Sequence, residues 1–408
     1  MHKVLTAAAT VVVTIALAIG AAACTRGAEW NTPGETPDPP KVTIQSPADR
    51  SADVPAAAEL EFTTEGTRNV EVAMTDAGGN PVNGAMRADG SSWIPGEQLE
   101  WGTQYSATIK ATKSDGTSAE AKTTFTTMGE PNQLVRVHSY NGDNVTYGVG
   151  MPIIVRFETD VPENARAAIQ RRMFVTSNPP QEGVWHWISS KYHDPGSEVH
   201  YRPKEYWQPG TTISVRIGTG GMSWGYEGIY GASDLTLSFK IGESLIMNVD
   251  NATKQMTVTQ NGQVTKTIPV SLGKPSTPSS SGNMLIMSRF PTYKFDTRRE
   301  LGTSAGYVVD VNFAEQLTTG GEFIHAAPWS VAVQGRSNVS HGCVNMSDAN
   351  AEWIYNTVHV GDPVTIKGTE VKLEWGNGFT DWDRSWEEYV KGSAIPYVPE
   401  SAPSPSAS

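Results

Sequence analysis

The sequence predicts a mostly β protein, with two antiparallel β-sandwiches in tandem followed by a third β-rich domain that has one or two helices. The chain has 408 residues, which is enough for two or three domains. Its 39 Gly and 26 Pro, with charged residues at only 18%, are typical of turn-rich β domains rather than of helical bundles. Short runs that alternate apolar and polar residues, separated by turn residues, recur along most of the chain.

The overall charge and the cysteine count exclude several classes of function. The chain has 31 basic and 43 acidic residues and a formal net charge of −12. Nucleic-acid-binding domains are usually basic, so we expect no nucleic-acid partner. Only two cysteines are present, Cys24 and Cys343, which excludes a disulfide framework and a multi-cysteine zinc site.

The first residues predict export. Lys3 is followed by an uncharged apolar run, and small residues from Ala21 onward lead directly into Cys24. This order is typical of a secretory signal peptide over residues 1–23. Its end resembles a bacterial lipobox, in which the cysteine is acylated, with Ala21 where leucine is usual. An uncleaved membrane anchor is the alternative. The lipoprotein reading predicts a lipid-anchored protein of the cell membrane that faces the periplasm or cell wall.

Two similar β domains are predicted after the signal. Residues 24–40 are polar and proline-rich, which is typical of a linker. Residues 41–129 contain several short strand-like runs between turns, the pattern of a sandwich. Residues 130–242 look like a second copy, because the run 101–109 (WGTQYSATI) recurs as 207–217 (WQPGTTISVRI). We therefore expect two tandem Ig-like domains.

Residues 243–367 predict a third domain. Asn261 and Gly262 stand between two β-type runs, and Asn-Gly is a strong signal for a hairpin turn. Residues 347–358 (SDANAEWIYNTV) have the apolar spacing of a helix, and Ser347 is suited to cap its start.

The C-terminal end is predicted to hold a Trp-rich subdomain over residues 368–392 and a disordered tail over residues 393–408. Thr380 is the expected cap of a short helix in the subdomain. That helix carries one apolar stripe of three aromatic residues: Trp382, Trp386 and Tyr389. We expect the stripe to pack against the preceding domain, with glycan binding as the alternative.

The chemistry of the chain converges on Cys343. It lies in VSHGCVNMS, just before the predicted helix, whose first N–H groups favour negative charge. We therefore expect a lowered pKa for this thiol, since thiolate is the attacking species. His325 follows the strand-like run 322–324 and is suited to accept the thiol proton. The spacing alone is not specific, because most Cys–His pairs in sequences never touch.

The wider pattern is specific. His325, then fourteen residues, then SHGCVN at residues 340–345 is similar to the signature of the YkuD-type L,D-transpeptidases. The run 270–278 (VSLGKPSTP) with Gly282 resembles the strand and loop that precede it in that family. Together with the Ig-like domains and the Trp-rich piece, the chain resembles an actinobacterial, mycobacterial-type lipoprotein member.

This resemblance implies a reaction. Cys343 attacks the carbonyl after the third residue of a peptidoglycan tetrapeptide stem, D-alanine leaves, and a thioester forms. An amine of a neighbouring stem then resolves the thioester and makes a 3→3 cross-link. The resemblance also implies carbapenem β-lactams as covalent inhibitors, and no cofactor. Two alternatives stay open: an L,D-carboxypeptidase or other acyl transferase that uses the same thioester, and a non-catalytic wall-binding Ig-like lipoprotein.

The resemblance also assigns site residues. His325 is the base, oriented by the main-chain carbonyl of Ala326, where relatives often have serine. The N–H groups of Gly342 and Cys343 are the expected oxyanion donors, with help from Tyr307. The implied substrate-binding residues are Tyr307, Gly320, Gly321, Ser340, His341 and Asn345. Each of these also has a plain structural reading, as a loop-fixing, turn or packing residue.

Other catalytic schemes are less well supported. Ser271 and Lys274 have the serine–lysine spacing of penicillin-binding proteins, but they lie in a β-type run without the accompanying motifs. His186, His193 and His200 recur every seven residues on a predicted hairpin, a spacing that does not bring three imidazoles together. We therefore expect no metal site.

Overall fold

The protein is described by a computed structural model that covers residues 40–65, 69–87, 90–189, 196–298 and 306–398. The predicted signal peptide, Cys24, the linker before residue 40 and the last ten residues lie outside the described residues. Within the described part the mostly β architecture is confirmed, with only three α-helices. No helix in that part is both long and apolar enough to cross a membrane.

The first sandwich consists of eight strands. In chain order they are β1 Lys41–Ser46, β2 Ser51–Val54, β3 Leu60–Glu65, β4 Asn69–Asp76, β5 Gly84–Met86, β6 Ser92–Pro95, β7 Gln104–Thr112 and β8 Ser118–Thr127. They form two sheets, in the orders β1-β3-β6-β5 and β2-β8-β7-β4. Alternate residues of β7 are buried, because successive side chains of a strand point to opposite faces.

The second sandwich has ten strands and one helix. They are β9 Gln133–Val135, β10 Val137–Ser139, β11 Thr146–Tyr147, β12 Ile153–Phe157, α1 Glu163–Gln170, β13 Met173–Asn178, β14 Gly183–Ile188, β15 Ser197–Pro203, β16 Thr212–Ile217, β17 Ile229–Gly231 and β18 Leu235–Ile241. The two main sheets run β10-β12-β15-β14 and β11-β18-β16-β13, beside a small pair β17-β9. The repeated motif occupies equivalent places, since Trp101 and Trp207 each precede a strand (β7 and β16) that pairs with the last strand of its domain.

A partly buried ion cluster joins the two sandwiches. Glu59 of the first accepts hydrogen bonds from Arg87 Nε of the same sandwich and from Arg172 Nη1 of the second, each at 2.9 Å. Burial alone would raise the pKa of Glu59, but the hydrogen bonds from Arg87, Ser92 and Arg172 lower it to about 2. The carboxylate is therefore charged at neutral pH and holds a guanidinium from each domain.

Within its described residues, the third domain contains two sheets and one α-helix. Its elements are β19 Leu245–Asp250, β20 Gln255–Gln260, β21 Gln263–Pro269, β22 Ser280–Leu285, β23 Ser288–Asp296, β24 Val308–Gln316, β25 Phe323–Ala326, β26 Val344–Met346, α2 Asp348–Thr357, β27 Pro363–Lys367 and β28 Val371–Lys372. The sheets run β21-β20-β19-β27-β22-β28 and β23-β24-β25-β26. The predicted cap of α2 is confirmed, because the Ser347 side chain accepts from the Asn350 N–H.

The C-terminal segment differs in part from the prediction. It has a 3-10 turn at Asp381–Asp383 and a four-residue helix, α3 Trp386–Tyr389, capped by Ser385. Thr380 is not the cap, because its hydroxyl accepts the Gly376 N–H instead. Ser393, the first residue of the predicted disordered tail, has a defined packing contact. The Ser393 hydroxyl accepts a hydrogen bond from the side chain of Gln170, so this part of the segment is packed on the second sandwich.

The aromatic stripe packs against the second sandwich. The guanidinium of Arg202 lies 4.3 Å from the ring centre of Trp382, 5.4 Å from that of Trp386 and 4.2 Å from that of Tyr389. Trp382 also donates its Nε1–H to the carbonyl of Gly150 at 2.7 Å. The predicted packing of the stripe is therefore present, but its partner is an arginine of the second Ig-like domain, whereas the prediction named the domain that directly precedes the segment in the chain.

A buried histidine fixes the same segment. His200 Nε2 lies 2.7 Å from Glu198 and its Nδ1 2.9 Å from Asp381 of the C-terminal segment. Burial opposes the charge of the imidazole, but the two carboxylates raise the pKa of His200 to about 10. His186 pairs with His200 across β14 and β15, and His193 lies outside the described residues. Among the residues described, no group of histidine, cysteine and acidic side chains is arranged to hold a metal ion.

We predict that Asp381→Asn destabilises the protein by about 3 kcal/mol, because removal of one partner leaves the buried His200 cation undercompensated. The pKa of His200 is raised in the fold, so its contribution is fully present below its ordinary pKa of 6.5 and is lost as pH rises through about 10. Urea unfolding at about pH 6 and at about pH 10.5 measures this effect. The difference in free energy of unfolding between wild type and Asp381→Asn is expected to be smaller at the higher pH. The exposed Glu387→Gln on α3 is the control, and an unchanged midpoint for Asp381→Asn near pH 6 contradicts the prediction.

Candidate active site

A cavity of about 550 Å³ opens on one side of the sheet β23-β24-β25-β26. Eight of the predicted site residues line it: Tyr307, Gly320, Gly321, His325, Ser340, His341, Cys343 and Asn345. Trp329, with 60% of its surface exposed, forms part of the wall at the mouth. Sequence reasoning therefore selected residues that the fold gathers around a single cavity.

His325 occupies the third position of β25 and is almost fully buried. Its Nδ1 lies 2.8 Å from the carbonyl oxygen of Ala326, the main-chain contact that the resemblance implies. A carbonyl only accepts hydrogen bonds, so Nδ1 carries the proton and Nε2 is left as the basic atom. Burial lowers the pKa of His325, which keeps the imidazole neutral near pH 7.

Cys343 is partly exposed and forms no disulfide. The expected lowering of its pKa is wrong: burial, together with the nearby charge of Glu322, raises the pKa of the thiol to about 12 against the favourable main-chain hydrogen bond of Phe323. The helix start is also not adjacent, because strand β26 stands between Cys343 and α2. The free thiol is therefore neutral at physiological pH.

The two strands that carry the pair are parallel neighbours. β25 pairs with β26 in a register that matches Ile324 with Val344 and His325 with Asn345, so Cys343 stands just before the paired segment. Both side chains line the same cavity. The sulfur makes no hydrogen bond to the imidazole; besides the main-chain hydrogen bond of Phe323, it contacts the Gly321 carbonyl, at 3.8 Å. Formation of a Cys–His hydrogen bond therefore needs the thiol to turn away from Gly321.

The loop before Cys343 is fixed by serine hydroxyls. Ser340 Oγ donates to the Cys343 carbonyl at 2.6 Å and accepts the Gly342 N–H at 3.2 Å. Ser279 Oγ donates to the Gly342 carbonyl at 2.6 Å. Gly342 has φ of +123°, a conformation that favours glycine. Of the two predicted oxyanion donors, the Gly342 N–H is thus occupied, and the Cys343 N–H makes no hydrogen bond within the described part of the chain.

A chain of polar contacts runs along the cavity mouth. Lys274 Nζ lies 2.9 Å from His341 Nε2, and Tyr307 Oη lies 3.3 Å from His341 Nδ1. Burial and the nearby Lys274 lower the pKa of His341, so its ring is neutral. Because an ammonium only donates, Nε2 is the acceptor and Nδ1 donates to Tyr307. The Tyr307 hydroxyl hydrogen is left available to the cavity.

Asn345 lines the cavity and has a buried side-chain oxygen without a partner among the described residues. It lies on β26 with 3% of its surface exposed, and its Oδ1 has no hydrogen-bond partner among the described residues. A buried carbonyl oxygen without a partner costs free energy unless a ligand or water satisfies it. The Asn345 oxygen is therefore an unsatisfied buried acceptor beside the cavity.

Sequence reasoning missed three residues near the cysteine. Lys274 contacts His341 at the cavity mouth. Ser271, its partner in the serine–lysine spacing, donates to the Ser337 carbonyl and does not line the cavity. Glu322 accepts hydrogen bonds from the Ser280 hydroxyl and N–H, and burial raises its pKa. Asn377 of the C-terminal segment accepts the Gly320 N–H at 2.8 Å. Only Lys274 stood in a motif that the sequence analysis had singled out.

Two family models match the chain. The model of the bacterial Ig domain matches residues 51–223, and the model of the L,D-transpeptidase catalytic domain matches residues 245–366. The second match contains both Cys343 and His325. The suspected kinship with YkuD-type enzymes that carry Ig-like domains is confirmed.

Characterised mycobacterial proteins are similar along most of their length. L,D-transpeptidase 2 of Mycobacterium tuberculosis (strain CDC 1551 / Oshkosh) is 35% identical, over 93% of this chain and 93% of that protein. L,D-transpeptidase 5 of Mycobacterium tuberculosis (strain ATCC 25618 / H37Rv) is 32% identical, over 88% of this chain and 78% of that protein. A solved LD transpeptidase in complex with imipenem is 34% identical with a TM-score of 0.48, covering 58% of this chain and 100% of that one. By its similarity to L,D-transpeptidase 2 over nearly the whole length of both proteins, this chain belongs to the L,D-transpeptidase family.

Proposed function

We propose that this protein forms 3→3 peptidoglycan cross-links through a thioester on Cys343, with release of D-alanine. The observation that carries the proposal is the parallel pairing of β25 with β26, which leaves a cysteine and a histidine facing one cavity. Membership of the L,D-transpeptidase family supports an acyl-transfer reaction. Tetrapeptide stems are the proposed donor and acceptor substrates.

The first half-reaction makes the thioester. Because the pKa of Cys343 is about 12 and the imidazole is neutral, attack is coupled to proton transfer rather than made by a pre-formed thiolate. The sulfur leaves the Gly321 carbonyl and bonds to the carbonyl carbon of the stem, while His325 Nε2 takes the thiol proton. The bond to D-alanine then breaks, and His325 returns the proton to the departing amine.

Charge develops on the carbonyl oxygen in both half-reactions. The Cys343 N–H is the open main-chain donor, and the Tyr307 hydroxyl is a second donor at the mouth. The Gly342 N–H joins them only if it leaves Ser340 Oγ. One such donor is worth about 3–4 kcal/mol of barrier in comparable sites.

The second half-reaction transfers the acyl group. An amine of the diamino acid in a neighbouring stem attacks the thioester, His325 accepts the amine proton, and the proton returns to the sulfur as the C–S bond breaks. Water in place of the amine gives L,D-carboxypeptidase activity, and another amine gives a different acyl transfer. These remain alternatives to cross-linking, and a non-catalytic wall-binding role is the alternative from another class.

The proposal includes a cellular location for the enzyme, which is the outer side of the cell membrane. With Cys24 acylated, the linker and the two sandwiches act as spacers between the membrane and the cavity. The Glu59 cluster and the Glu198–His200–Asp381 cluster support a rigid spacer, because each joins elements of different domains through buried charges.

We predict that Cys343→Ser and His325→Gln each lower turnover of a disaccharide-tetrapeptide by at least about 10³-fold, because each removes one member of a coupled pair. Product masses give the reading: a dimer lacking one D-alanine supports cross-linking, whereas tripeptide alone supports the carboxypeptidase. His359→Gln, a change to a histidine of the same domain outside this cavity, is the control. Undiminished turnover by a folded Cys343→Ser variant rules out the thioester.

We predict that a carbapenem adds to the protein as one covalent adduct on Cys343. The strained lactam carbonyl replaces the stem carbonyl as acyl donor, and opening of the ring leaves no separate product to depart. Intact-mass spectrometry with peptide mapping measures the adduct, and Cys343→Ala is the control. An adduct of equal yield in Cys343→Ala places the reaction on another residue.

We predict that the full-length chain expressed in an actinobacterial host sediments with the membrane fraction, and that Cys24→Ser shifts it to the soluble exported fraction. The thiol of Cys24 is the atom that would carry the lipid. Mass spectrometry of the N-terminal peptide measures the acyl chain. Retention of Cys24→Ser in the membrane with residues 1–23 still attached indicates the uncleaved anchor instead.

A further inference from the structure

We propose that Asn377, in the C-terminal segment, is a positioning residue for the acyl transfer, because it holds the turn of residues 317–322 against the cavity. This inference rests on the proposed function of Cys343 as the nucleophile. The turn connects β24 with β25 and carries Gly320 and Gly321. Asn377 itself touches neither the sulfur nor the imidazole.

The contact is close and directional. Asn377 is 9% exposed, and its Oδ1 accepts the Gly320 N–H at 2.8 Å. The amide also lies directly over the Gly320 α-carbon, since a Cβ at that position would stand 3.2 Å from both Asn377 Oδ1 and Nδ2. Gly320 does not have a positive φ, and the close approach of Asn377 is the tight contact at this position.

The remaining main-chain groups of the turn are fixed from within. The Gly321 N–H donates to the Thr318 carbonyl at 3.2 Å, and the Glu322 N–H donates to Thr318 Oγ1 at 3.0 Å. The Gly320 N–H is bonded to a residue outside the turn, Asn377. Asn377 therefore supplies the hydrogen bond that ties this turn to the C-terminal segment.

The turn of residues 317–322 also contacts the proposed nucleophile, Cys343. The Gly321 carbonyl is the acceptor of the Cys343 thiol, at 3.8 Å, and Gly320 and Gly321 both line the cavity. The side chain of Glu322 lies at the other end of the turn, where its charge acts on Cys343. A displacement of the turn therefore changes the width of the cavity, the resting partner of the thiol and the distance of a carboxyl group from the sulfur.

Asn377 is held at this place by its own segment. Gly378, with φ of +100°, leaves no space for a side chain: a Cβ there would stand 2.8 Å from Met287 Sδ and 2.9 Å from the Leu317 carbonyl. Phe379 is buried and packs edge-on against Tyr140 of the second sandwich, with ring centres 5.0 Å apart. Asp381 then enters the buried cluster with His200. The segment is thus anchored on the second sandwich immediately after it supports the turn.

Three variants of the full chain test this inference. Asn377→Leu keeps the size of the side chain and removes the acceptor, whereas Asn377→Asp keeps an acceptor oxygen. Asp383→Leu is the matched control, because Asp383 Oδ1 accepts the Asn283 N–H at 2.8 Å and so ties the same segment to a different strand, β22. Kinetics with the disaccharide-tetrapeptide, alkylation of Cys343 by iodoacetamide and urea unfolding are measured for each.

We expect Asn377→Leu to lower kcat/KM by about 10- to 100-fold, mainly through kcat, because a small displacement of a positioning element has a large effect on the rate of the bound complex. We also expect faster alkylation of Cys343 in this variant, since release of the turn exposes the sulfur. Asn377→Asp should stay close to wild type in both measurements. Asp383→Leu should change the unfolding midpoint without changing kcat/KM or the alkylation rate of Cys343.

Equal effects of Asn377→Leu and Asp383→Leu on alkylation overturn the inference, because the segment would then act only through stability. An unchanged alkylation rate in Asn377→Leu overturns it as well. Failure of the proposed function has a different result: wild type then gives no cross-linked dimer, while the alkylation series still decides the role of Asn377 in the folded chain.

Discussion

The parallel pairing of β25 with β26 is the constraint on which the site depends. Its main-chain hydrogen bonds align His325 with Asn345 and bring Cys343 to the edge of the same cavity, although the chain between the two strands makes a long excursion. A parallel pair always needs such a connection, because its strands run in the same direction. The connection also contains Trp329 and the loop that Ser340 fixes, and both line the cavity. Pairing of the two strands therefore also brings part of the cavity wall into place.

The electrostatics of the site follow from burial. Burial raises the pKa of Cys343 and lowers that of His325, so both groups rest in their neutral forms. Such a pair differs from the thiolate–imidazolium pair that a helix start would favour. The thiol contacts a carbonyl of the 317–322 turn, so the position of this turn sets the surroundings of the nucleophile.

Buried charges and aromatic rings join the domains. Glu59 holds the two sandwiches together, and His200 and Arg202 of the second sandwich bind the C-terminal segment. That segment returns to the catalytic domain through Asn377. The second sandwich is therefore connected to the glycine turn that lines the cavity by the C-terminal segment, and not only by the covalent link at residue 243.

The sequence by itself determined the local features: the repeated sandwich motif, the Ser347 cap and the cysteine and histidine of a specific motif, because each depends on neighbouring residues. It erred for Thr380, whose hydroxyl accepts the N–H of nearby Gly376 and does not cap the helix, and for the pKa of Cys343, which burial raises. Only the tertiary structure decided that Asn377 contacts the turn of residues 317–322 and that Glu322 lies close to Cys343. Burial and contacts between residues remote in the chain arise from packing, which no local pattern encodes.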